Sequence, residues 1–249
     1  MLITTDGVVL RERTQGEIDK FIDVLTDDMG IISICVKGGR KLSSKNSSAT
    51  QLFSYSKFCY NQKGERNILN SSEIISSFFN ISSDIEGLAL ASYYSELLRY
   101  SSLENIPSTN VKRLLLNCLY YLDNKERSVE FLKLLFEFRL VCEIGLIPNL
   151  IGCCECYEFQ SNSMYFDILN GKLYCSECFD KELDYHTIRI SDSELHVLRH
   201  IALTDFNRLF NFKISDELQS SVGKITEKYT LAHFDHDFKT LKYYKSIKT

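Results

Sequence analysis

Apolar and polar residues alternate with a period of two over roughly the first third of the chain, and from about residue 79 the period lengthens to that of a helix. Strand patterns fall at residues 8–14, 18–25, 31–37, 52–61 and 67–75, the second of them ambiguous. Met29-Gly30, a polar Ser-rich stretch over 38–50 and Lys63-Gly64 punctuate them. Five short strands in about 78 residues predict a small barrel or sandwich, and the size fits a five-stranded OB-fold barrel. Ser83-Asp84-Ile85-Glu86 then has the form of a capping box and opens a helix with Leu90, Tyr93, Tyr94, Leu97 and Leu98 on one face. A second helix gathers Val111, Leu114, Leu115, Cys118, Leu119 and Leu122. A third gathers Phe131, Leu134, Leu135, Phe138, Val141 and Cys142, and Pro148 ends it, which predicts a helical bundle over 79–147. Ser191-Asp192-Ser193-Glu194 is another capping box, starting a helix to about residue 203, and at least one more helix is expected over 216–244. The predicted fold is α+β. An OB-fold barrel over 1–78 is followed by an α-helical domain over 79–249, with a four-cysteine zinc ribbon inserted at 149–180.

The cysteines change this picture most. Five of the nine lie between residues 153 and 178, in a chain where no secretory signal and no membrane-spanning run is found. A cytoplasmic, reducing compartment is expected, which points to metal rather than disulfides. Cys153-Cys154-Glu155-Cys156 is followed, after 18 residues, by Cys175-Ser176-Glu177-Cys178. Each C-x-x-C turn brings two thiolates to one side of a metal, and two turns complete a tetrahedron of sulfur. Cys153, Cys156, Cys175 and Cys178 are therefore the candidate ligands of one Zn²⁺. Between them Asn170-Gly171, the preferred type I′ pair, predicts a hairpin that returns the second pair to the first. Four thiolates leave no open position, so such a site is structural. Cys154 is left over. Redox dithiols are the other reading of the pairs, but the βαβ context such motifs need is missing. Cys35, Cys59, Cys118 and Cys142 fall in strand or helix patterns and read as small core residues.

Charge matters by its distribution. The net charge is −4, yet residues 37–66 hold seven cations (Lys37, Arg40, Lys41, Lys45, Lys57, Lys63 and Arg66) against one acid, Glu65. The segment Lys37-Gly38-Gly39-Arg40-Lys41, with Lys45 beyond it, follows a strand, and its glycines would let backbone approach a phosphate closely. Phe53, Tyr55, Phe58 and Tyr60 follow, and one or two of them are candidates to stack bases. Arg11 and Arg13 share a face of the first strand and extend the patch, with Glu12 and Glu17 nearby. A solvated loop beside a half-buried aromatic strand is the plainer reading of the same residues. No G-x-x-x-x-G-K-[ST], G-x-G-x-x-G, G-x-S-x-G or H-E-x-x-H string occurs, so no nucleotide cofactor is expected. His196 and His200, four apart, read as a helix face. His233-Phe234-Asp235-His236-Asp237 fits a polar helix face as well as a metal site. Lys239, Lys242, Lys245 and Lys248 recur at every third position and suit a helix C-terminus or a secondary nucleic-acid contact.

Taken in order, these segments resemble the RecO family. Gly7-Val8-Val9-Leu10-Arg11 and Gly16-Glu17-Ile18-Asp19-Lys20 resemble the family's opening, and Gly30-Ile31-Ile32 leading to Val36-Lys37-Gly38-Gly39-Arg40-Lys41 resembles its KGARK segment, with Gly39 in place of the alanine. Phe138-Arg139-Leu140, Glu143-Ile144-Gly145-Leu146-Ile147-Pro148, the cysteine pairs and Phe238-Lys239-Thr240-Leu241-Lys242 follow at the family's positions. The resemblance implies a bacterial, nucleoid-associated, non-enzymatic mediator of DNA repair and recombination. Such a protein binds single- and double-stranded DNA, anneals complementary strands, engages single-stranded-DNA-binding protein and joins RecR to load RecA. Phosphate contacts are expected at Lys37, Arg40, Lys41, Lys45, Arg11 and Arg13. A zinc-dependent nucleic-acid hydrolase is the rival from another class. It needs a second metal, for instance at His233 and His236. A zinc-stapled protein-interaction scaffold with an inert basic loop is a third reading.

Overall fold

The alternation at the N-terminus closes into a barrel. In a computed structural model describing residues 1–249 apart from 42, 65, 102, 104–105, 160–162, 181–185 and 249, five strands form it: β1 (Leu2–Gln15), β2 (Asp19–Thr26), β3 (Ile31–Val36), β4 (Tyr55–Lys63) and β5 (Arg66–Ser76). Their order is β1-β2-β3-β5-β4, with β1 pairing back to β4. All pairs are antiparallel except β3 with β5. Val9, Ile22, Val24, Ile32, Ile34, Val36, Phe58, Tyr60 and Leu69 fill the interior, which is where the inward-facing residues of a closed sheet must go.

Two strands depart from strict alternation for visible reasons. In β1, Val8, Val9 and Leu10 are all buried, and a shift of register between Val9 and Arg11 absorbs the extra residue. In β2 the run Ile22 to Thr26 is buried on both faces, which explains its ambiguous pattern.

The remaining elements are a 3₁₀ turn (Phe79–Ser83), α1 (Ile85–Tyr100), α2 (Thr109–Asp123), α3 (Val129–Glu143), β6 (Met164–Asp167), β7 (Lys172–Cys175), β8 (Thr187–Ile190), α4 (Asp192–Leu203), α5 (Phe206–Leu209), α6 (Asp216–His233) and α7 (Lys239–Ser246). Packing groups the chain into two compact units, residues 1–126 with 238–249, and 127–237. The three helices expected as one bundle are thus divided: α1 and α2 belong to the barrel's unit, α3 to the other. Every residue assigned to the three apolar faces is buried. The capping box expected at Ser83 is not formed. Ser83 lies in the 3₁₀ turn and donates to the Asn80 carbonyl at 2.8 Å. Asp84 is the N-cap instead, accepting from the Glu86 amide, which puts Gly87 rather than Glu86 at the third helical position.

In the first unit, α7 packs on α1 through Leu241 and Tyr244. The Phe238 ring meets Tyr93 edge-on at 5.8 Å, and Glu96 accepts from the Thr240 amide at 3.0 Å. Lys248 pairs with Glu86 at 2.9 Å. The connection after α1 is stitched to the β2–β3 turn: Ile31 N donates to Leu103 O and Ser108 N to Asp27 O. Gly30 makes this possible. Its φ is +60°, and a Cβ there would lie 1.6 Å from the Leu103 carbonyl oxygen. Gly64 has a similar φ of +59° in open space. Gly30→Ala is therefore expected to cost about 2–5 kcal/mol of stability and Gly64→Ala only about 1–2 kcal/mol. Denaturant unfolding of the two variants checks the contrast.

In the second unit α3 is buried nearly all round, Lys133, Glu137 and Arg139 included. Lys133 reaches Glu137 at 2.8 Å and Glu227 at 2.9 Å. Arg139 pairs with Glu143 at 2.7 Å and donates to the carbonyls of Ile201, Ala202 and Thr204 that end α4. The capping box at Ser191 and Glu194 is present and starts α4. The last helical stretch is two helices, broken around Phe234 to Phe238.

Candidate metal centre and nucleic-acid face

The cysteine segment is a small three-stranded sheet of order β7-β6-β8 carrying two cysteine turns. Asp167 pairs with Lys172 across the β6–β7 hairpin, leaving four residues in the loop. Only Gly171 has a positive φ there, +62°, so the turn is not the two-residue type I′ form expected from Asn170-Gly171. The Asp167 carboxylate organises it, accepting from the amides of Leu169 and Asn170 at 3.0 and 3.1 Å. The third strand, β8, has no counterpart among the strands expected from sequence, because four residues are too few to establish a period.

β7 ends at Cys175 and so delivers the second cysteine turn to the first. The two turns are built alike: Tyr157 N donates to Cys153 O, and Phe179 N to Cys175 O, both at 2.9 Å. A parallel bridge between Cys153 and Leu173 holds the first turn beside β7. The ligand atoms of Cys153, Cys156, Cys175 and Cys178 all lie within 4.8 Å of one another. Cys156 Sγ and Cys175 Sγ are 3.6 Å apart, close to the edge of about 3.8 Å for a tetrahedron with metal–sulfur bonds of about 2.3 Å. Burial raises the Cys153 thiol, but amides of Cys156, Cys175 and Glu155 aimed at its sulfur outweigh that and bring it to about 6. Hydrogen bonding from Cys156 and Cys175 pushes Cys178 upward, as expected where four thiols share a space that favours thiolate at one of them. The donor set fits a metal ion. Cys154 lies outside the cluster, its Sγ beside Glu155 and its thiol raised by burial.

Arg199 on α4 carries no signal in the sequence, yet it latches the entry to this segment. It donates to the carbonyls of Leu150, Ile151 and Phe159 at 2.7, 2.8 and 3.1 Å, and its guanidinium covers the Phe159 ring. Nothing local to residue 199 signals partners 40 to 49 residues away. Among the described residues, no other group of three or more His, Cys, Asp or Glu is placed to hold a metal. His233 instead lies against Tyr229, with Nδ1 2.8 Å from the Tyr229 carbonyl oxygen. His196 is exposed, and His200 packs on Phe212, its pKa lowered first by burial.

On the barrel, Lys37, Arg40, Lys41 and Lys45 are all exposed. Successive turns hold the loop that carries them. Gly38, with φ +63°, donates its amide to Asp19 Oδ1 at 2.7 Å. Arg40 N donates to Ile18 O at 3.0 Å, and its guanidinium reaches Gly16 O at 2.9 Å. Lys41 N and Ser44 N close the next turns. The aromatic residues are placed otherwise than expected. Phe53, Phe58 and Tyr60 are buried, and half-buried Tyr55 lies under the Lys112 ammonium. The register of β4 turns Phe58 and Tyr60 into the barrel, so that of these four rings Tyr55 alone keeps a partly exposed surface. Arg11 and Arg13 are exposed on the outer face of β1, Arg13 bonded to Asp23 at 2.7 Å and Ser33 at 2.9 Å. Glu12 points to the other side, where Lys20 neutralises it at 2.6 Å.

The chain thus combines a closed barrel bearing a cationic loop with helices and a four-thiol ribbon, and similarity to known proteins gives the class, that of DNA repair proteins. Residues 1–78 match the family model described as "Recombination protein O N terminal", and residues 82–242 that described as "Recombination protein O C terminal". A "DNA repair protein RecO" of Acetivibrio thermocellus is 30% identical over 98% of this chain and 97% of its own length. Those of Alkaliphilus metalliredigens and Bacillus subtilis are 29% and 27% identical, over 99% and 92% of this chain and 100% and 88% of theirs. The chain belongs to the RecO family of DNA repair proteins. Among the described residues no helix is long and apolar enough to cross a membrane.

Proposed function

We propose that this chain is a non-enzymatic recombination mediator. It binds single- and double-stranded DNA through Lys37, Arg40, Lys41 and Lys45, with Arg11 and Arg13 beside them, and anneals complementary strands. With RecR it helps load RecA onto strands covered by single-stranded-DNA-binding protein, in the bacterial cytoplasm at the nucleoid. The observation that carries the reading is the exposure of all four cations on the connection that leaves β3 of the barrel. The ion held by Cys153, Cys156, Cys175 and Cys178 is Zn²⁺ in this reading, and its role is structural, since four thiolates leave no position for water. Contact with phosphates by neutralisation makes binding sequence-tolerant and salt-dependent.

The test combines annealing of complementary oligonucleotides with binding by a Lys37/Arg40/Lys41/Lys45→Ala variant. The variant is expected to anneal more slowly. Its log–log salt slope should be shallower by about 0.7 for each single-strand phosphate that the removed cations no longer neutralise. An unchanged slope and affinity would show that the loop is not the DNA site.

A further inference from the structure

The outer face of the barrel meets the end of α1 in a cavity of about 320 Å³. Its lining is unusual in charge. Arg11, Arg13 and Arg99 contribute three guanidinium groups, and Asp23 is the single carboxylate among the described residues of the lining. Asp23 is already bonded to Arg13. Glu96, a second carboxylate whose charge reaches Arg99, accepts from the amide and hydroxyl of Thr240. Arg99 is half-buried, and its Nε is fully enclosed without a hydrogen-bond partner among the described residues. Burial first, and then the like charge of Arg11, lower its pKa from the ordinary arginine value. An enclosed N–H donor left unpaired is costly, and a cation beside another cation more so. An anion seated between Arg11 and Arg99 relieves the repulsion between the two cations.

The cavity also has a direction. In the register of the sheet Arg11 lies beside Asp23 and Asp23 beside Ser33, while Arg13 lies beside Phe21 and Phe21 beside Cys35. Ser33 and Cys35 then succeed one another on the outer face of β3, which ends at Val36, and Lys37 follows at the start of the basic loop. Four residues of strand span about 13 Å, so Ser33 at the cavity and Lys37 at the loop are joined by one short strip. Ser33 accepts from Arg13 at 2.9 Å and keeps its own proton to donate. Ile31 and Leu103 add apolar surface to the lining, suited to a sugar or base.

We infer that Arg11, Arg13 and Arg99 form a phosphate subsite for a nucleic-acid strand, at the end of a strip that begins at Lys37. The inference rests on the DNA-binding reading above and adds to it a residue, Arg99, that comes from the helical part of the chain. Arg99 binds the phosphate directly, Arg11 shares it, and Arg13 is held in place by Asp23.

The test is a salt series by fluorescence anisotropy with a labelled single-stranded oligonucleotide, using the full chain as wild type, Arg99→Gln, Arg99→Lys and the four-residue loop variant. Thermal melting of each checks folding. Arg99→Gln is expected to weaken binding and reduce the slope by about 0.7, the share of one single-strand phosphate, and Arg99→Lys to restore the slope. If Arg99→Gln keeps the wild-type slope while the loop variant loses it, the subsite is wrong and the DNA reading stands. If wild type does not bind, both fall. The Arg99 Nε–H resonance supplies an independent readout. Oligonucleotide should move it at a phosphate concentration where inorganic phosphate does not. The reverse result would make this a site for free phosphate and overturn the nucleic-acid assignment.

Discussion

Cys175→Ser is expected to reduce bound metal from one ion per chain to well below one, and to loosen the two cysteine turns. Cys175 is 3% exposed at the end of β7 and is one of the four clustered thiols. Structural zinc sites hold their metal with apparent free energies of about 10–16 kcal/mol in peptides, much of it expressed as folding energy. At a thousandfold excess of metal over the dissociation constant, binding adds about 4 kcal/mol to the folded state, all of which chelation removes. The effect should stay local. Phe166 packs on Tyr229 at 5.4 Å, and the Tyr229 hydroxyl donates to the Leu146 carbonyl at 3.0 Å, so β6 keeps its seat on α6. Cys154→Ser is the control, since Cys154 lies outside the cluster, and should retain one ion. Elemental analysis of the two variants checks this, with hydrogen exchange across 149–180. Full metal content in Cys175→Ser would remove that cysteine from the ligand set.

The second large effect is at Lys133. Glu137 is fully buried, and Lys133 is its ion-pair partner at 2.8 Å. Lys133→Met leaves that carboxylate enclosed, with the Thr226 hydroxyl beside it at 3.3 Å. Breaking a buried pair from one side costs about 3–5 kcal/mol, whereas replacing both members by apolar residues is often nearly neutral. Lys133→Met/Glu137→Leu should therefore recover most of that stability, and denaturant unfolding of the single and double variants measures it. The same pair sets a pH dependence. Burial lowers the Lys133 pKa, but Glu137 and Glu227 raise it further, leaving it above the ordinary 10.5. A group whose folded pKa is raised contributes its stability in full below the unfolded value, and that contribution disappears as pH rises through the folded value. Wild type should lose this stability in the alkaline range above about pH 10.5, and the double variant should not.

Sequence made visible those features whose signal is local. Alternation located the five strands, and helical spacing located the buried faces of α1, α2 and α3. The two C-x-x-C pairs named all four clustered thiols. What stayed hidden depended on register or on distant partners. Alternation places Phe58 and Tyr60 on one face of β4, but only the closed barrel decides that this face is inside. Ser83 and Asp84 are both good cap residues, and the 3₁₀ turn takes up the first, leaving the second as the cap. Asn170-Gly171 suggests a tight turn, yet the Asp167 carboxylate draws the loop out to four residues. Lys133, Glu137 and Arg139 carry charges that suit a surface, yet α6 covers the first two and the end of α4 the third. Arg99 and Arg199 are ordinary helical arginines by pattern, and each takes its significance from segments far off in the chain.

The most direct test of DNA recognition by the barrel is binding of wild type to a labelled single-stranded oligonucleotide as salt is raised. Log affinity should fall linearly with log salt, with a slope of about −0.7 for each phosphate neutralised, hence roughly −3 for four loop cations and steeper if the outer-face arginines contribute. No binding even at low salt would mean that the net acidity of the chain prevails over its basic loop, and would contradict DNA recognition by this face.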